Sequence, residues 1–123
     1  MDPLSTDVLT FWFGDTDLTQ EMERRDVWFR STPTFDTELT ARFIEIQERA
    51  GGGAFDHFVD DPGDCLALIL MLDQFPRNMY RGSPRAFGTD AKAREIARIA
   101  LDRGYDQGMA SWRRIFLYLP FEH

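Results

Sequence analysis

A chain of 123 residues, 43% apolar and 14% aromatic, has too many core-forming side chains to be disordered and suits one domain rather than two. Its net charge of −7 works against nonspecific attraction to nucleic acid or an anionic membrane surface. Its longest wholly apolar run, Leu66 to Leu72, falls far short of the roughly 20 residues that a membrane span needs.

The first element is a helix entered through Asp2 and Pro3, a capping acid followed by a proline preset for the first helical turn. Leu4, Val8, Phe11 and Trp12 share one face of it, and Gly14 is placed to stop it. A second, shorter helix is expected around Gln20 to Arg30, ending in the aromatic pair Trp28-Phe29. The third is the clearest amphipathic segment, with Phe35, Leu39, Phe43, Ile46 and Ala50 at spacings of three and four before Gly51-Gly52-Gly53 ends it. One or two helical turns follow over residues 54–59. Asp61-Pro62-Gly63-Asp64 then opens a buried helix predicted to run from Pro62 to Phe75, its acids favoured by the helix dipole.

Pro76 is expected to break that helix into a loop. Beyond it, Thr89 or Asp90 caps a helix whose Ala93, Ile96, Ala97 and Ala100 form a small-residue face, and Gly104 stops it. A last helix starts near Ser111, presents Trp112, Ile115, Phe116 and Leu119 on one stripe, and is limited by Pro120. No segment alternates as a strand does, so the fold class is all-α: one domain over residues 1–123, an antiparallel helical array of six or seven helices with short connections.

Charge is unevenly placed along the chain. Residues 1–64 hold 15 acids and 5 bases, residues 65–123 hold 6 acids and 9 bases, and the two halves attract each other. Three of those bases, Arg77, Arg81 and Arg85, stand four apart directly after the most apolar run, with Pro76, Pro84, Gly82 and Gly88 shaping the backbone around them. Guanidinium groups in such a place either converge on a carboxylate or phosphate through paired hydrogen bonds, or clamp the acidic half of the chain to the basic half. Asp73, Gln74 and Asn78 are the side chains that could orient them.

Glu122-His123 is the second candidate, since an imidazole titrates near neutral pH and an adjacent acid can assist it. Neighbours on a helix point about 100° apart, so adjacency alone does not pair them. Asp56-His57 with Asp60-Asp61 has a spacing open to metal binding, but without further histidines it reads as a solvated turn, and neither a metal site nor a cofactor is expected. Phosphate-loop, nucleophile-elbow, zinc-protease and paired-cysteine signatures are absent from the sequence. The single cysteine, Cys65, can form no internal disulfide and reads as a small buried hydrophobe. With no basic-then-apolar segment at the start, a cytoplasmic protein is expected.

Phe11-Trp12-Phe13-Gly14, Trp28-Phe29, the run from Leu72 to Asn78, the run from Arg81 to Phe87, and Phe116-Leu117-Tyr118-Leu119-Pro120-Phe121-Glu122-His123 closely resemble the bacterial family catalogued as domain of unknown function 924. The resemblance spans nearly the whole chain. It implies an all-helical fold similar to tetratricopeptide-repeat proteins, although the repeat consensus is not visible here, and it implies no established activity. Relatives usually continue past the Phe-Glu-His sequence into further helices, so a face of the last helix is expected to be left for self-association, giving a homo-oligomer.

Three functional readings follow. The chain is a binding module that holds an acidic peptide or small anion through Arg77, Arg81, Arg85, Asn78 and Gln74; or an enzyme on a small anionic substrate, with His123 and Glu122 or Asp73 transferring protons; or a structural fragment. The enzyme reading requires His123 within hydrogen-bond reach of an acid inside a pocket shared with the arginines, whereas a binding module needs only an open groove.

Overall fold

The computed structural model describes residues 1–123 and contains six α-helices joined by short 3-10 turns, with no strand. They are α1 (Pro3–Phe13), α2 (Pro33–Gly51), α3 (Pro62–Asp73), α4 (Phe75–Met79), α5 (Asp90–Asp102) and α6 (Ser111–Tyr118). The caps follow the local rules. The Asp2 carboxylate accepts from the Leu4 amide, Thr32 from Phe35, and Asp61 from Asp64, each before a proline in the first turn. Gly14, with φ of 93°, returns its amide to the Thr10 carbonyl and turns the chain out of α1 in a conformation that glycine adopts without strain.

Helix α3 is the axis of the molecule. It is apolar on every side, ten of its twelve residues are buried, and it touches α1, α2, α4, α5 and α6. A helix without a polar face has to be surrounded, and the other helices arrange themselves to do so. Leu66, Leu68, Ile69, Leu70, Met71 and Leu72 are fully buried, each worth roughly 1.5–3 kcal/mol relative to exposure. On α5, Ala93, Ala97 and Ala100 are fully buried and let that helix lie close against α3. One cluster of 26 buried apolar residues draws on all six helices.

The expected helix over Gln20 to Arg30 is replaced by a single 3-10 turn, Asp26–Trp28. Tertiary donors explain the change. Arg25 reaches the Phe11 and Trp12 carbonyls at 3.0 and 2.6 Å, and Trp28 Nε1 donates to the same Trp12 carbonyl at 2.9 Å. The segment is thus used to satisfy the open carbonyl end of α1, and an extended backbone at Arg25 delivers the side chain there. Both aromatic motifs then meet one residue of the last helix: Phe116 lies edge-on to Trp12, Phe13 and Trp28 with ring centroids 5.5, 5.8 and 5.0 Å away.

Two further expectations change. The chain after Pro76 does not open into a loop; Pro76 sits in the first turn of α4, where its missing amide costs no hydrogen bond. Most of the α6 stripe is covered from within the chain, with Phe116 buried and Trp112 and Leu119 packed on the core, while Ile115 stays 37% exposed.

Candidate functional site

Asp73 is the last residue of α3 and is wholly buried, a carboxylate closing a run of hydrocarbon side chains. Charge in such a place costs several kcal/mol unless it is answered. Gln74 Nε2 donates to its Oδ2 at 2.9 Å. His123 Nε2 stands 3.0 Å from Oδ1 and 3.1 Å from Oδ2, with the hydrogen-bond geometry directed at Oδ2. Oδ1 is left without a directed donor, facing the Arg77 guanidinium at 3.6 Å. Fifty residues of chain separate Asp73 from His123, and the 3-10 turn Leu119–Phe121, which packs against α5, brings the imidazole back to the end of α3.

Arg77 belongs to α4 and its fork is occupied. It takes both oxygens of Asp90, at 2.8 and 2.9 Å, and also donates to the Asp73 carbonyl oxygen. Asp90 begins α5, where the helix dipole favours an acid, so the Arg77–Asp90 pair fastens α5 to the end of α3. The flat guanidinium face is covered by Phe87 at 5.2 Å.

The three arginines do not converge. Arg81 bonds Asp36 at 3.0 Å, and that same carboxylate also accepts from Asn78 at 2.8 Å and from the Ser31 hydroxyl. Partial burial pushes the Asp36 carboxyl up, yet the bonds from Arg81, Ser31 and Asn78 outweigh it and hold the group below the usual carboxylate range. Arg85 stacks on Tyr80 at 4.2 Å, donates to the Tyr80 hydroxyl at 3.2 Å and reaches Glu48 at 3.5 Å. Arg81 and Arg85 thus take acids of the N-terminal half, as clamps would, and Arg77 takes one of its own half. Glu122 is exposed and has no bond to His123, so the acid beside the imidazole is Asp73. Asp56, Asp60 and Asp61 are spoken for by Lys92, Arg103 and the cap of α3.

Sequence reasoning missed Asp36, Asp90 and Arg113. The first two look like ordinary first-turn acids. Arg113, on the polar side of an amphipathic pattern, is only 1% exposed: it donates to Asp15 and to the Gln20 carbonyl, each at 2.7 Å, and lies over Phe13 at 4.7 Å.

Residues 8–123 match the family described as "Bacterial protein of unknown function (DUF924)". The chain belongs to this family. It is similar to a solved structure of a protein of unknown function from Agrobacterium tumefaciens, with 36% identity and a TM-score of 0.87. The likeness covers 98% of this DUF924 chain and 64% of the Agrobacterium one, so the chain spans under two thirds of that relative's length. No curated protein matches the sequence.

Proposed function

We propose that this chain supplies an acid–base site acting on a small anionic molecule, with His123 moving the proton and Asp73 holding it in position. The observation that carries the reading is the 3.0 Å approach of the imidazole to a carboxylate with no solvent exposure. A carboxylate only accepts, so the proton of the neutral ring is drawn to Nε2 and the lone pair is left on Nδ1, the form a general base needs. The ring keeps 25% of its surface open to a molecule arriving from outside, although it lines none of the cavities and shares no pocket with the arginines. Structural need is a weaker account of Asp73, because a leucine closing α3 would carry no desolvation cost. Arg98 stands over Phe121 at 5.9 Å, two residues before His123, and offers a cation at the same edge for an anionic substrate. The reading of the arginines as a peptide site ranks second, since an acidic peptide would have to displace Asp90 from Arg77 and Asp36 from Arg81.

The test is nitrogen-15 NMR of the imidazoles with His57→Gln in place, which leaves His123 alone in the spectrum. The expected result is a ring protonated on Nε2 at neutral pH, with a resonance that shifts saturably on adding inorganic phosphate or succinate, and a tautomer preference lost in Asp73→Asn. A ring protonated on Nδ1, or one indifferent to both anions, would overturn the proposal.

A further inference from the structure

Arg85 also borders an open cavity of about 280 Å³ between the end of α2 and the start of α5, which neither His123 nor Asp73 lines. Its walls are Gln47, Glu48 and Gly51 on α2, Tyr80 and Arg85 from the segment after α4, and Gly88 and Thr89 before α5. Gln47 is only 5% exposed, yet its one hydrogen bond is a long one, 3.4 Å from Nε2 to the Thr89 hydroxyl, which is itself committed to the Leu72 carbonyl at 2.6 Å. That direction of donation leaves Oε1 of a nearly buried side chain with no protein donor and open to solvent on a residue that lines the cavity. Thr89, the last of these wall residues, immediately precedes α5 and gives that helix no side-chain cap. Across the mouth, Arg85 and Glu48 meet at only 3.5 Å, and both are more than half exposed. Such a pair is worth little as it stands and yields readily to better partners.

We infer that this cavity binds a small zwitterion, a free α-amino acid, whose carboxylate takes Arg85 and the Tyr80 hydroxyl and whose ammonium takes Glu48 and Oε1 of Gln47. The chemistry distinguishes this class from a simple anion. Glu48 and the unmatched Oε1 repel a lone carboxylate but accept from an ammonium. Arg85 and the tyrosine hydroxyl supply donors for the other end. Arg85 is positioned for the task by the Tyr80 ring beneath it, which fixes the plane of the guanidinium and spares part of the ordering entropy on binding. Gly51 keeps the floor open, since a Cβ there would stand in tight contact with the Thr89 methyl at 3.1 Å.

The test is titration of the isotope-labelled full chain with glycine, L-alanine and L-glutamine, followed on the Gln47 side-chain amide and the Thr89 and Arg85 resonances. Acetate and methylamine, the two halves of glycine, are run in parallel. At least one amino acid should shift those signals saturably in the millimolar range, roughly ten-fold or more tighter than either half. Arg85→Gln and Gln47→Leu should each weaken it by about ten-fold, the first being exposed enough to leave folding intact. Acetate binding as well as the amino acids, or no saturable shift from any of them, would overturn the inference. The His123 imidazole signal should stay unmoved by glycine, which separates this outcome from that of the acid–base site.

Discussion

Two replacements of Asp73 should change stability by clearly different amounts. In Asp73→Asn the shape is kept, and an amide oxygen in the place of Oδ2 still accepts from Gln74 Nε2 and His123 Nε2 at 2.9 and 3.1 Å, but the negative charge is gone and the new NH2 replaces Oδ1 opposite the Arg77 guanidinium at 3.6 Å. A donor then faces a cation where a carboxylate stood, and a contact to a charged group is worth about 1.5–3 kcal/mol. At roughly 2.1 cal/mol/K of unfolding entropy per residue, 123 residues give about 4 °C of melting temperature per kcal/mol, so a fall of about 6–12 °C is expected. In Asp73→Leu the carboxylate and its desolvation cost go together. Arg77 keeps both oxygens of Asp90, and His123 can turn toward water, so only Gln74 is left short of a partner. The net change should lie within about 1 kcal/mol of zero or be a gain. Urea unfolding followed by tryptophan fluorescence measures both, since Trp12 and Trp28 are buried. If Asp73→Leu is destabilised as much as Asp73→Asn, the carboxylate is a structural tie and the argument that it is kept for His123 fails.

Removing Arg113 tests a different balance. Its acid partner Asp15 is 47% exposed and can rehydrate, so Arg113→Ala should cost about 2–3 kcal/mol through lost packing on Phe13 and the stranded Gln20 carbonyl. Arg113→Met, which refills the space, should recover about half of that by the same denaturation assay. Cys65 is 1% exposed, and burial, with Asp61 and Asp64 adding to it, pushes its thiol up to about 12. Its labelling by a thiol reagent at pH 8 should therefore proceed only at the rate of unfolding; fast labelling of folded protein would contradict the burial. For Asp36, whose carboxyl is held below its ordinary value, the stabilisation is complete above about pH 4 and is lost as pH falls through the lowered folded value. Acid unfolding of Asp36→Asn should accordingly be flatter below pH ~4 than that of the natural chain, and parallel curves would count against the Asp36 cluster.

Local chemistry is why so much of the architecture could be read directly. A proline behind a capping acid or hydroxyl marks the starts of α1, α2 and α3, and these are decided within four residues of chain. The uniformly apolar stretch from Leu66 to Leu72 is open to a strand by periodicity, but the cap signals around it and its leucine and methionine content make it a surrounded helix, and the small residues of α5 mark a close-packing face. The segment over Gln20 to Arg30 went otherwise because its donors find acceptors on α1, a contact that no local pattern announces. The arginines show the same division. Their clustering in sequence and the attraction between an acidic and a basic half are properties of the chain, whereas the choice of Asp36, Glu48 and Asp90 as separate partners belongs to the packing of α2 and α5 around α3. The pairing of His123 with Asp73 is likewise a tertiary event. Side chains fifty positions apart meet only because the final turn folds back over α5 to the end of the central helix, and a buried carboxylate there binds whichever donor that geometry delivers.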